Sequence, residues 1–555
     1  MITQVSALEE QKQHIRQLAS KLNLFVNRQL QIYDQQRLVH QSTSIEDLHQ
    51  TLTELYNNKI TSTKSVDYKF KMEPYEHQKV GFFLTNEEPV FALSMEMQTG
   101  KTKLALDSAF YMYQKGYIDS LLIIAPNMVH MKWVLDEIPE QIPDTMGYSQ
   151  YVWQSKKTKT EERAKTEFLT QKSFGIKIMS ISYDGLNTDR GFEFVNKFID
   201  SHNCFCALDE SHFIKEPTSK RSKKILAISK KLKYKRTLTG TPVTQNTLDI
   251  WAQYTFLDPS ILRNMSYYSF KNRYVVNERK EVYVKTKDGD KTSRMMDNIT
   301  GYKNLDELQG LIEPYTYRVL KSQCLDLPDK IYRKEVVNLT PQQKKLYDEM
   351  AINLFTVHEG QAMSASIVLT KYLRLQQIIG GFWTPDDTEE AKAIEGTNPK
   401  IERFLTMVNE IDPSSQVIVW SRFTKEIELI YDRLIKKYGE ESTVLYYGAV
   451  KKDKKQESLD RFKSGKARFF VGNQRAGGTG LSLHNANYMF YFSNDFALAT
   501  RLQSEDRIHG IGQKKNACYI DLVAEETLDD KVLGALRSKK ELADLITQDY
   551  KYLLK

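Results

Sequence analysis

The stretch VFALSMEMQTGKTKLAL, Val90–Leu106, begins as an apolar run, crosses a short polar loop holding Thr99, Gly100, Lys101 and Thr102, and continues into a helical pattern ending near Gly116. Strand, loop and helix follow in that order. A loop of this kind presents backbone N–H groups and a helix N-terminus to an anion, so Gln98–Thr102 is a candidate phosphate cradle. Lys101 would then reach the β- and γ-phosphates of a nucleotide, and Thr102 would hold Mg2+. The strict pattern asks for glycine at Met95, and GKT alone also fits an ordinary loop.

Outward from this stretch the same texture repeats. The runs VFALS, LLIIAP, IKIMSIS and CFCALD alternate with helical segments, and a second series follows: QVIVWS, STVLYY, ARFFVG, YMFYFS and CYIDLV. Continuous apolar strands separated by helices predict parallel sheets with crossover helices, hence an α/β fold in two lobes. Lobe one is expected over residues 67–259 and lobe two, with a helical insertion, over 331–540. Between them, 260–330 reads as an irregular insertion and linker, with a hairpin turning at Lys287-Asp288-Gly289-Asp290. Residues 1–66 read as an accessory helical module, since Leu8, Ile15, Leu18 and Leu22 share a face, and 541–555 as a tail.

CFCALDESHF, Cys204–Phe213, carries two adjacent carboxylates at the end of an apolar strand, where α/β sheets place ligands. Asp209 can hold Mg2+ through its water shell, and Glu210 can polarise an attacking water. For DESH alone, a solvated acidic turn is the simpler reading. The order of elements changes this, because LTGTPVTQNTLDIWAQYTFLDP follows, then QRAGGTGLSL (Gln474–Leu483) and QSEDRIHGIGQKK (Gln503–Lys515). Taken together these resemble the motifs of Swi/Snf-type DNA-dependent ATPases of helicase superfamily two, nearest the annealing-helicase branch, in a phage or bacterial setting.

That resemblance covers residues 70–540 and implies two RecA-like lobes, ATP and Mg2+ as cofactors, and movement on double-stranded or branched DNA in replication, repair or recombination. It implies adenine reading by Gln78, phosphate contacts by Gln98, Thr99, Gly100, Lys101 and Gly480, and metal binding by Thr102 and Asp209. Catalysis would rest on Lys101, Asp209 and Glu210, with Gln503 and Arg507 facing the γ-phosphate from the other lobe. DNA would meet Pro126, Thr239, Gly240, Thr241, Arg475, Gly477, Gly478 and Thr479. The family usually has glycine at Gln98 and a second arginine at Gly510, so slower hydrolysis is expected unless Arg507, or a neighbour such as Arg501, suffices. A strand-separating helicase and a nucleotide-gated DNA-binding protein with attenuated hydrolysis are the rival readings.

The bulk numbers are compatible with these expectations. A chain of 555 residues exceeds one core, and 41% hydrophobic with 27% charged residues is globular in balance. A net charge of +8 permits DNA binding only through local clusters such as Lys220–Lys224, Lys230–Arg236 and Lys451–Lys455, which also read as solvated helix faces. The cysteines Cys204, Cys206, Cys324 and Cys518 lack metal-ligand spacing and read as reduced thiols. No apolar run spans a bilayer and the opening residues are polar, so an intracellular protein is expected, cytoplasmic if bacterial or phage-encoded. Protein partners, if any, are expected at residues 1–66.

Overall fold

The computed structural model describes residues 68–547, except for short internal stretches of which 286–290 and 475–480 are the longest. The expected helical module at 1–66, the hairpin turn at 287–290 and the glycine-rich segment holding Arg475, Gly477, Gly478, Thr479 and Gly480 lie outside the described residues. One compact unit runs to Cys324 and a second from Leu325 to Leu542.

The first unit is built on β1 (Val90–Met95), β2 (Ser120–Ala125), β3 (Tyr148–Val152), β4 (Ile176–Ser182), β5 (Cys204–Asp209) and β6 (Tyr234–Leu238). An antiparallel pair, β7 (Val275–Lys285) and β8 (Lys291–Tyr302), stands apart, and β9 (Thr316–Val319) completes the main sheet. Its seven strands run parallel in the order β3-β4-β2-β5-β6-β1-β9. Helices Glu76–Thr85 and Lys101–Gln114 pack Phe82, Leu104 and Phe110 with Phe91, Ile123 and Phe205 of the strands. Strands buried on both faces must be apolar throughout, which is why β1, β2, β4 and β5 stand out in the sequence.

Two features depart from the expected organisation. β6, YKRTL, is buried along its whole length despite Lys235 and Arg236. The Arg236 guanidinium has no exposure and donates to the carbonyls of Thr85, Glu88, Pro89 and Lys235. The segment after 259, expected to be an irregular linker, instead forms helices Tyr267–Tyr274 and Leu305–Ile312 and returns β9 to the sheet edge beside β1. Tyr317 and Val319 face inward there, so the first unit closes only after residue 319.

The second unit has β10 (Lys330–Val337), two short ladders of β11 (Phe355–His358) with β12 (Gln361–Ser364) and β13 (Phe382–Trp383) with β14 (Lys392–Ala393), and five further strands. These are β15 (Gln416–Ser421), β16 (Thr443–Tyr446), β17 (Phe469–Asn473), β18 (Ala486–Tyr491) and β19 (Ala517–Ala524). The main sheet is parallel, ordered β10-β19-β18-β15-β17-β16. One face packs Phe404, Val417, Val419, Ile430 and Phe490, and the other packs Ile418, Trp420, Phe470 and Met489. Each unit is thus a parallel, RecA-like α/β sheet, as expected. The helix Leu528–Thr547 runs through the expected boundary at 540. All four cysteines are free, with Cys204 and Cys206 buried in β5.

Candidate nucleotide-binding site

The loop after β1 is tied at both ends. Glu96 N–H donates to the Val319 carbonyl at 3.0 Å, and its carboxylate accepts from Lys321 N–H at 2.6 Å. Thr99 folds back on the Glu96 carbonyl through its N–H and its hydroxyl. Gln98 at φ 66° and Gly100 at φ 88° are both left-handed, and this pair of bends lets the helix begin at Lys101. A Cβ on Gly100 would lie 1.9 Å from Nε2 of Gln78. That glycine is required twice over, by its backbone angle and by the side chain against it.

Gln78 itself is buried, its Oε1 accepting from Tyr75 N–H at 3.0 Å and its Nε2 donating to the Thr99 carbonyl at 3.3 Å. His77 Nε2 meets the same carbonyl at 2.7 Å. The amide therefore braces the loop, with one N–H and one lone pair left for a base edge. Lys101 is only 8% exposed, and its ammonium makes no hydrogen bond or ion pair among the described residues. A near-buried cation at a helix N-terminus suits phosphate oxygens. Thr102 follows it, half-buried in the first helical turn.

β5 delivers the two carboxylates to the same sheet edge. Asp209 is held at both oxygens: Oδ2 accepts from Trp133 Nε1 at 2.9 Å, and Oδ1 from Glu210 N–H at 2.9 Å. Burial and the neighbouring Glu210 push its carboxyl above the usual carboxylate range, against the opposing pull of Lys101 and the Trp133 N–H. Glu210 has φ 50°, a left-handed angle that turns it off the strand. Tyr183 OH pins the turn by donating to the Asp209 carbonyl at 2.7 Å. His212 Nδ1 stands 3.3 Å from Glu210 Oε2 and 3.2 Å from the Thr239 hydroxyl, which in turn accepts from Thr241 N–H at 3.1 Å. A Cβ on Gly240 would touch the Met95 carbonyl at 3.4 Å. Loop, carboxylates and the Thr239–Thr241 turn are therefore one connected edge.

In the second unit Gln503 is half-buried on the helix Leu498–Glu505, and Arg507 Nη1 donates to the Leu481 carbonyl at 3.0 Å. Arg501, weighed as a substitute arginine, is committed elsewhere. It pairs with Asp521 through both terminal nitrogens, with Glu505 through Nε at 2.7 Å, and lies 3.5 Å over the Tyr491 ring. Gly512, two residues beyond Gly510, is left-handed at φ 99°.

A model of the SNF2-related domain matches residues 75–380, and one of the helicase conserved C-terminal domain matches 399–512. The chain belongs to the SNF2-related family. Similar proteins include the putative ATP-dependent helicase/translocase YwqA of Bacillus subtilis, 25% identical over 502 residues, covering 88% of this chain and 50% of that one. An uncharacterized ATP-dependent helicase of Mycoplasma pneumoniae is 25% identical over 509 residues, covering 90% and 44%. The chain thus spans about half the length of these relatives. Among solved structures, the Sulfolobus solfataricus SWI2/SNF2 ATPase core in complex with dsDNA is 21% identical, covers 88% of this chain and 97% of that one, and has a TM-score of 0.37.

Other residues singled out in the sequence lie near this edge or on the surface around it. Pro126 is buried, its carbonyl accepting from the N–H groups of Val129 and His130. The exposed residue there is Asn127, which donates to Asp184 at 2.7 Å, as Arg221 does at 3.0 Å. In the basic run after Ser219, Lys220 and Lys224 pair with Asp189, in keeping with a solvated face. Nothing in the sequence announces the bond from Trp133 Nε1 to Asp209. The two residues are 76 positions apart, and no local pattern joins them.

Proposed function

We propose that this SNF2-related chain hydrolyses ATP with Mg2+ and uses the cycle to move along or remodel double-stranded DNA. One observation carries the proposal: Lys101, Asp209 and Glu210 meet at one sheet edge that is hydrogen-bonded onward to Thr239 and Thr241. Among the described residues no three or more His, Cys, Asp or Glu side chains gather as metal ligands. A hydroxyl and one carboxylate suit Mg2+, which retains waters and takes few protein ligands when it arrives with phosphates. Thr102 and Asp209 would hold it, and the ion would neutralise phosphate charge. Gln98–Thr102 cradles the phosphates, Lys101 holds the terminal ones, Gln78 reads the base, and Glu210 takes up the proton of the attacking water.

Movement follows from the same connections. Thr239, Gly240 and Thr241 carry the state of the nucleotide edge to the DNA, together with Arg475, Gly477, Gly478 and Thr479, while Gly480 serves the phosphates. Gln503 and Arg507 are the groups of the second unit whose loss slows hydrolysis. With Arg501 committed to Asp521 and glycine at 510, turnover is slow, and Gly510→Arg raises it several-fold or more. An unchanged rate in that variant would remove the support for a missing arginine. A role on branched DNA in replication, repair or recombination, inside the cell, fits this chemistry. No described helix is long and apolar enough to cross a membrane.

The deciding measurement is phosphate release with no DNA, single strands, linear duplex and branched duplex, with Lys101→Ala as control. Duplex-stimulated release that disappears in the variant is expected. Equal release with and without DNA would sink the translocase reading.

A further inference from the structure

Trp133 sits on a single π-helical turn, Trp133–Glu137, inserted between the short helices Val129–Lys132 and Ile138–Gln141. The Ile138 N–H reaches back five residues to the Trp133 carbonyl, and Pro139, which has no N–H to give, follows directly. Widened turns of this kind recur where a side chain is re-aimed for function. Here the widened turn carries an indole that is 2% exposed and whose only polar atom points at Asp209 Oδ2, 2.9 Å away.

That bond is chemically selective. An indole nitrogen donates and never accepts, so it can orient a carboxylate and cannot compete with it for a cation. With Oδ1 held by Glu210 N–H, the Trp133 bond leaves the carboxylate one orientation. The same short segment begins beside Asn127, exposed at the end of β2, whose turn is closed by the Pro126 carbonyl.

We infer that Trp133 is a positioning residue for Mg2+: its N–H fixes the Asp209 carboxylate in the orientation that receives the metal accompanying the nucleotide. The inference rests on the proposed nucleotide site and adds Trp133 to the groups assigned to it above. Outer groups that orient a metal-binding carboxylate typically change metal affinity by about 10–100-fold when removed.

The test is binding of methylanthraniloyl-ATP, read by fluorescence, in Mg2+ and in EDTA. For wild type, Mg2+ tightens binding. Trp133→Phe, which keeps an aromatic ring and loses the N–H, is expected to weaken binding in Mg2+ by about 10-fold or more and to leave binding in EDTA unchanged. In an Asp209→Ala background, Trp133→Phe should have no further effect. Equal loss in both media, or a further loss without Asp209, would overturn the inference by making Trp133 merely structural. If the phenylalanine variant fails to fold, benzothienylalanine at 133 keeps the shape without the N–H and is expected to give the same selective loss; wild-type affinity there overturns the inference. Failure of the nucleotide site itself looks different, since wild type and Lys101→Ala would then bind nucleotide equally poorly in both media.

Discussion

Gln98 and Gly100 bend the same loop through left-handed angles, but only one of them is glycine. A side chain at such an angle costs roughly 1–2 kcal/mol, part of which glycine gives back through its looser unfolded chain. Gln98→Gly is therefore expected to hold or raise stability by up to about 1 kcal/mol, measured by denaturant unfolding. A loss of stability larger than that would argue against a strained Gln98. Gly100→Ala should do the opposite, since its Cβ would strike Gln78 and break that amide's bond to the Thr99 carbonyl, and nucleotide binding should fall sharply. His130 offers a pH signature. Burial beside Ser180 lowers its titration to about 4, so it is neutral when folded at pH 6, whereas the unfolded chain protonates near 6.5. The unfolded state binds more protons between these values, so this histidine's contribution is complete above about 6.5 and drains away as pH falls toward about 4. The stability gap between wild type and His130→Gln should shrink or reverse over that window; a constant gap would contradict a neutral buried imidazole.

The legible elements and the hidden ones differ for a physical reason. β1, β2, β4, β5 and β15 to β19 could be read directly because a parallel strand buried on both faces leaves a continuous apolar run. β6 could not, because Arg236 replaces an apolar side chain with a guanidinium that satisfies distant carbonyls at Thr85, Glu88 and Pro89. Nothing adjacent to Arg236 announces those partners. Arg236→Leu would remove every bond that the guanidinium donates to the carbonyls of Thr85, Glu88, Pro89 and Lys235 and is expected to cost about 3 kcal/mol, since a hydrogen bond from a charged donor contributes roughly 1.5–3 kcal/mol. Urea unfolding checks this, and a change below about 1 kcal/mol would mean that those carbonyls find other donors. At β9 only Tyr317 and Val319 carry the inward face, too short a signal to read before the sheet is known.

For the molecule as a whole, that short strand decides where the first unit ends. β9 pairs with β1, and its neighbourhood ties the phosphate loop through Val319, Lys321 and the Tyr317 hydroxyl on the His77 carbonyl. A fragment ending at 259 should therefore be poorly folded and bind no nucleotide, whereas one spanning 68–324 should melt cooperatively and bind it. Equal behaviour of the two by thermal melting and nucleotide titration would show that β9 is dispensable. The candidate phosphate loop, the paired carboxylates and the two-lobed α/β plan were legible in local patterns, because loops at strand ends and doubly buried strands have short-range signatures. The bracing of Gln78 against Thr99, the orientation of Asp209 by Trp133, the commitment of Arg501 to Asp521 and the true extent of the first unit emerged only from folding. Each depends on hydrogen bonds between residues far apart in the chain, and spacing along a sequence carries no record of such partners.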